Sequence, residues 1–515
     1  MSAAYAKSTA SGEMFSPARE QMDTMIRQLQ SPEMLAAQHG ELESFVQLQG
    51  RELERRLLQA HLDLRAERER PVRVRGNDGI ERTYRRASRR PLGTVLGPVQ
   101  VSRLAYQAQG VDGRHPMDGS LNLPPDLFSH GVRRFVAEHA AMTSFDEVVA
   151  ELRTHTGAVV AKRQVEELAV RAAVDFDAFY AERRAANDVV EPTGDLLVMT
   201  FDGKGIVMMP EDLRPATKKA ARKSVRKLAT RLTTGEKRNR KRMAEVAAIY
   251  TVPRYARAPP DVLADLDRSR AANERPKRPK VRNKRVWASI ERDPRNVIEE
   301  TFHEALARDP QHRRQWVVLV DGNKDQIAII RDIANTLGPV CIVIDLIHVL
   351  EYLWRAAHAL CGEGTKQAEA WVQQRLLWLL QGRPAGKIAT AMRRSACAAT
   401  LSDSGLEAVL DAADYLQDYA PYIRYGAALD WGLPIATGVI EGACRYLVKD
   451  RMDRGGARWT LDGAEAVLRL RALRASGDFD AYWHVHLRED LRRNHAQRYE
   501  HASLPDPISP LRRVK

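Results

Sequence analysis

The chain has 515 residues and a mass of 58.0 kDa, which at roughly 100–200 residues per domain predicts two to four domains. Hydrophobic residues make up 44% and charged residues 29%, so a wholly disordered chain is excluded. Lys and Arg number 81 against 67 Asp and Glu, for a formal net charge of +14 and a pI near 9.6. A soluble chain this basic implies a polyanionic partner, nucleic acid or an anionic membrane surface.

No apolar run approaches the ~20 residues of a spanning helix, and MSAAYAKSTASGEMFSP lacks the basic and apolar regions of a secretory signal. Cys341, Cys361, Cys397 and Cys444 form no C-x-x-C pair, which argues against a disulfide scaffold or zinc ribbon and for a reducing cytosol.

Residues 1–32, rich in Ser, Ala, Met and Gln, are expected to be loosely ordered. Residues 33–78 hold one long helix, with Val46, Leu53, Leu57, Ala60 and Leu64 as an apolar stripe; it packs on its own domain or dimerises as a coiled coil. In 79–190, Thr94-Val95-Leu96, Gly97-Pro98 and Val99–Leu104 predict a β-hairpin turning at Gly97-Pro98, flanked by Arg85, Arg86, Arg89 and Arg90. Ser144 and Glu147 fit a capping box. The turn His155-Thr156-Gly157 then leads to a helix from Ala161 to Ala173, with Val165, Leu168 and Ala172 inward and Lys162, Arg163 and Arg171 outward. That is a helix-turn-helix pattern for DNA, or a plain packing hairpin.

From 191 to 360 the order of elements predicts a mixed sheet with helices on both faces. A first strand ends at Asp202, a basic insertion spans 211–242, and apolar strands follow at Val246–Val252, 286–291, Trp316–Val320 and Val340–Ile344. Residues 361–432 read as helical throughout, 433–490 as a core helical segment and 491–515 as a basic tail.

Asp202 and Asp321 each follow an apolar strand and precede a glycine. One such Asp-Gly is usually only a turn. Two at matching strand ends of one sheet point to a site, because side chains gather functionally where strands end. Carboxylates converging in a basic protein fit Mg²⁺ held against phosphate.

The strings TFDGKG, VLVDGNKDQ, IDLIHVLEYLW, GVIEGACRYLVKDRMDRGGARW and GAEAVLRLRAL make the chain resemble DDE-type bacterial insertion-sequence transposases of the ISKra group, relatives of the Mutator-like transposases. The resemblance is specific over 195–485 and looser over 85–180. It implies an α/β RNase H-like catalytic core with an all-helical insertion, preceded by a mainly helical DNA-binding region with a β-hairpin. It also implies Mg (or Mn)-dependent cleavage of element ends and strand transfer. Asp202, Asp321 and Glu441 match the family's acids and would be its metal ligands. Asp345-Leu346-Ile347-His348 matches its D-x-x-H element, with Asp345 and His348 supporting the site or touching DNA. Both also read as a helix cap and a His one turn in. Relatives often carry a cysteine-bearing zinc element after the hairpin; Arg103–Gln109 holds no cysteine, so no zinc is expected.

Asp321 and Glu441 are 120 residues apart, a surplus matched by 361–432. Glu351 competes as the third acid, but the basic run after Glu441 (Arg445, Lys449, Arg458) favours Glu441. Lys218, Arg222 and Arg226, with Lys219, Lys223 and Lys227 one residue on, would make a cationic face for phosphate if helical. Trp459 either packs or stacks on a base. The reading is a cytoplasmic, nucleoid-associated transposase acting on double-stranded DNA, a homo-oligomer without a membrane partner. The alternatives are a nuclease or resolvase with the same core, or a non-catalytic DNA-binding regulator.

Overall fold

A computed structural model describes residues 13–186, 194–223, 228, 230, 239–266, 278–436 and 438–508. The chain divides into two compact units: one takes the chain up to Phe179 and again from Asp478, and the other is Tyr180–Gly477.

In the first unit Ser16–Leu29 form helix α1, correcting the expectation of a loose segment to residue 32. Pro17 presets the first turn, and buried Gln21 donates to Gln49 Oε1 at 2.8 Å. Helix α2 covers His39–Arg68. Strands β1 (Tyr84–Thr94) and β2 (Gly97–Ala108) form the hairpin, and β3 (Val111–Arg114) completes a three-stranded sheet. Thr94 pairs with Gly97, so the turn is at Val95-Leu96 rather than at Gly97-Pro98. The Thr94 hydroxyl closes it, donating to Gly97 O at 2.7 Å and accepting from Leu96 N at 3.2 Å. Gly97, at φ 118°, takes the backbone angle that glycine tolerates.

Leu62 of α2 packs with Leu92, Val99, Val101 and Leu123 in one buried cluster. Gln59 accepts from Gln100 N at 2.8 Å and donates to Gln100 O at 3.0 Å, so α2 runs along β2.

Helices α3 (His130–Ala140), α4 (Phe145–Thr156) and α5 (Lys162–Ala172) follow. The capping box at Ser144 and Glu147 forms with both bonds, at 2.8 and 3.2 Å, and Gly157 ends α4 at φ 67°. Val165, Leu168 and Ala172 are buried, in keeping with their spacing. Helix α6 (Phe176–Ala186) leads out of the first unit. The helix Phe479–Asn494, expected to extend the core segment to 490, belongs to the first unit. There Tyr482 donates to Ala172 O at 2.6 Å, and His486 Nδ1 lies 2.7 Å from Asp175.

The second unit is α/β. Its strands are β4 (Leu196–Val207), β5 (Lys241–Val252), β6 (Arg282–Ser289), β7 (Trp316–Val320) and β8 (Cys341–Ile344). They stand in the order β6-β5-β4-β7-β8. β5 runs antiparallel to both β4 and β6, while β4, β7 and β8 are parallel. Every residue of β7 is buried, so both faces are covered, which is why the strand reads as one apolar run.

Helix α7 (Pro215–Lys223) lies between β4 and β5, α8 (Pro294–Arg308) between β6 and β7, and α9 (Lys324–Leu337) between β7 and β8. Helix α10 (Leu346–Cys361) follows β8. Residues 361–432 hold α11 (Lys366–Leu380), α12 (Ala385–Ala398), α13 (Asp403–Asp418) and the short helix Tyr425–Asp430. Helix α14 (Gly438–Ala443) continues as a π-helical turn, Cys444–Lys449, and α15 (Leu461–Ser476) closes the unit against β6.

Candidate active site

Asp202 does not end its strand. β4 runs on to Val207 because β5 pairs with it down to Val207↔Lys241. Its parallel partner β7, however, stops at Thr200↔Leu319. Carrying that register two residues further sets Asp202 beside Asp321. The β7–β8 register, Val320↔Ile344, likewise sets Asp321 beside Asp345. Three aspartates therefore stand in a row at the carboxyl side of three adjacent parallel strands, where open α/β sheets place ligands.

Each aspartate is held differently. Asp202 is half-buried and its Oδ2 accepts from the Cys444 thiol at 3.0 Å. Burial and the nearby Asp202 charge push that thiol well above its ordinary pKa, so it is a donor. Asp321 accepts from Asn323 N at 3.0 Å through Oδ1. Its backbone carbonyl accepts from Tyr415 of α13 at 2.6 Å, and Tyr419 donates to the Gly322 carbonyl. Gly322, at φ 99°, has no room for a side chain: a Cβ would stand 2.8 Å from the Tyr415 hydroxyl. Tyr352 of α10 stacks on Tyr415 with ring centroids 3.9 Å apart. Asp345 is buried and caps α10, accepting from Ile347 N at 2.7 Å.

Glu441, in α14, is exposed and lies one turn before Cys444 on the helix that reaches Asp202. Among the described residues no group of three or more His, Cys, Asp or Glu is arranged to hold a metal ion. The donor set that does converge, two half-buried carboxylates, has the hard oxygen ligands that suit Mg²⁺ or Mn²⁺. Such ions take only a few carboxylates and complete their shells with water and phosphate. His348 is part-exposed and lies 3.5 Å from Glu351, whose side chain is 62% exposed, so Glu351 faces solvent.

Three neighbours escape a reading of the sequence. Glu245 of β5 pairs with Gly203, is buried, and accepts from Gln326 Nε2 at 2.7 Å. Burial, with the charges of Asp202 and Asp321 adding, pushes its carboxyl up to about 8. Gln326 Oε1 is buried with no hydrogen-bond partner; a protonated Glu245 carries the O–H that this acceptor lacks. Lys204, two residues after Asp202 in β4, shares its face of the sheet. Cys444 is the third. The one signal open to a sequence reader was Glu245 itself, a lone acid in an apolar strand.

The basic candidates divide. Lys162 is paired with Asp146 at 2.6 Å, Arg163 with Glu167 at 3.2 Å and Arg171 with Asp126 at 2.7 Å. Lys218, Lys219, Arg222 and Lys223 lie on α7; Lys218 is half-buried and the other three are exposed. Arg226 and Lys227 fall outside the described residues. Arg445, Lys449 and Arg458 are exposed. Trp459 is buried, with Arg451 over its ring at 4.7 Å, so it packs and does not offer a face to a base. Among the described residues no helix is long and apolar enough to cross a membrane.

No protein-family model matches the chain, and comparison with curated proteins gives no significant match.

Proposed function

We propose that the protein is a DDE-type transposase: a Mg²⁺- or Mn²⁺-dependent enzyme that cleaves the ends of an insertion sequence and joins them to target DNA. The observation that carries this reading is the register of the adjacent parallel strands β4 and β7, which sets Asp202 beside Asp321. The sheet around them has the order β6-β5-β4-β7-β8 with β5 reversed, an order that supports reading the unit as an RNase H-like core. The four helices described between α10 and α14 would correspond to the family's helical insertion.

Asp202, Asp321 and Glu441 would hold the ions, with Asp345 and His348 in support. Bound there, the metals would supply charge stabilisation to the attacking and leaving oxygens of an in-line phosphoryl displacement. The chain's own residues set up the site. The Cys444 thiol and the Asn323 N–H each orient one aspartate oxygen. Tyr415 and Tyr419 tie the Asp321-Gly322 backbone to the helical stretch. Lys204 sets a cation beside Asp202 for a phosphate oxygen. The basic surface of α7 and Arg445, Lys449 and Arg458 adds sequence-independent attraction to double-stranded DNA. A nucleoid-associated cytoplasmic homo-oligomer is the working form in this reading.

The test is to incubate the purified chain with labelled DNA from the ends of its element, target plasmid and Mg²⁺. Nicked ends and joined products support transposition. Nicks without joining point to a nuclease of the same core, and neither product removes the catalytic reading.

A further inference from the structure

The geometry points to the edge strand β1, rather than helix α5, as the element of the first unit that seats on duplex DNA, through Arg85, Arg86 and Arg89 in the major groove. The hairpin Tyr84–Ala108 contains five arginines and no Asp or Glu. The fold sorts those arginines into two kinds. Arg90 and Arg103 turn inward onto Asp118, at 3.7 and 2.7 Å. Arg85, Arg86 and Arg89 are exposed, and among the described residues none has a side-chain hydrogen bond or an ion pair. The three basic residues of α5 are already matched by carboxylates, and α5 itself adds Glu166 and Glu167. Between these two candidate elements, the positive charge without a carboxylate partner therefore stands on β1.

The shape fits as well as the charge. β1 is an edge strand whose outer edge is bonded at Gly93 to Leu127 O and Ser129 N, beyond the arginines, and one face of the hairpin is anchored through Leu92 and Val101 against Leu62 of α2. Arg85 and Arg89 point to one face of the strand, about 14 Å apart at ~3.4 Å per residue, and Arg86 points to the other. The major groove of B-DNA is about 12 Å wide and admits a two-stranded ribbon. A second copy of this chain is the poorer occupant of the edge: strand-to-strand pairing would bring arginine rows together, and like charges opposed across strands repel. That the polyanion is DNA rests on the proposed function. The docking itself needs no metal and no cleavage, so it can fail or hold independently of that reading.

The experiment is fluorescence anisotropy of full-length protein on a random-sequence DNA duplex without divalent metal, at several salt concentrations. Arg85→Gln/Arg86→Gln/Arg89→Gln should weaken binding and flatten the slope of log K against log salt by about 0.9 for each phosphate no longer neutralised, up to about 2.7 for all three. Arg85→Lys/Arg86→Lys/Arg89→Lys should restore the slope, which separates charge from any folding defect. Lys162→Gln/Arg163→Gln should change the slope by less than about 0.9, the value of a single phosphate. An unchanged slope for the β1 glutamine variant overturns the proposal, as does a larger loss from the α5 variant. So does an equal loss on an A-form RNA duplex, whose deep, narrow major groove cannot take a ribbon, because the patch would then be a general polyanion surface.

Discussion

Glu245→Gln is a perturbation whose sign can be worked from the site. Glu245 is buried, bonded to Gln326, and within the field of Asp202 and Asp321, with a carboxyl pushed from an ordinary 4.5 up to about 8. A folded-state value above the unfolded one means the folded protein holds this proton more tightly. The stabilisation from that proton is complete below about pH 4.5 and is lost as pH rises through about 8. At ~1.4 kcal/mol per pH unit the window is worth about 5 kcal/mol. Glutamine keeps the acceptor for Gln326 Nε2, supplies a donor for the orphaned Gln326 Oε1, and does not titrate. Thermal unfolding in EDTA should therefore give nearly equal midpoints for wild type and variant at pH 5. At pH 8.5 the variant should be the more stable by several kcal/mol, about 2 °C for each kcal/mol in a unit this size. Parallel pH profiles would refute the buried-proton account, and a variant less stable at pH 8.5 would show that the carboxylate is instead a stabilising charge.

Tyr415→Phe removes the hydrogen bond to the Asp321 carbonyl and should cost about 1 kcal/mol by urea unfolding, with a slower cleavage rate. Gly322→Ala, forced into φ 99° against that tyrosine, should cost more, about 1–3 kcal/mol; equal or smaller losses would mean the loop is not gripped there. Glu441→Gln should eliminate cleavage while Glu351→Gln retains most of it, both folded by circular dichroism. The reverse result moves the third acid to α10.

The strands around the site were legible because burial on both faces makes apolar runs, as in Trp316–Val320, and the Asp-Gly steps that follow two such runs drew attention to Asp202 and Asp321, although the first lies within β4. The capping box at Ser144 and the inward set of α5 were legible because both are local. What escaped depends on register or on distant chain. Asp202 lies within β4 because β5 extends to Lys241, and no residue near Asp202 announces that partner. The row that adds Asp345 follows from two strand registers. Cys444 meets Asp202 across 242 residues, and Tyr415 meets Asp321 across 94. Ser16–Leu29 carry Ala18, Met22, Met25, Ile26 and Leu29 at helical spacing, a period that the polar composition of the segment masked, and form α1 packed along α2. The ion pairs on Lys162 and Arg171 come from carboxylates 16 and 45 residues away, which sequence spacing does not assign, whereas Arg163–Glu167 is an i, i+4 pair within α5.

The central claim is that Asp202 and Asp321 act together through metal on DNA. The most direct measurement is end cleavage and strand transfer by Asp202→Asn and Asp321→Asn in Mg²⁺, alongside duplex binding in its absence. Each substitution keeps the side chain's shape and removes a ligand's charge. The account predicts that both variants bind DNA at least as tightly as wild type and form neither nicked nor joined product. Cleavage by either variant at near the wild-type rate would contradict it.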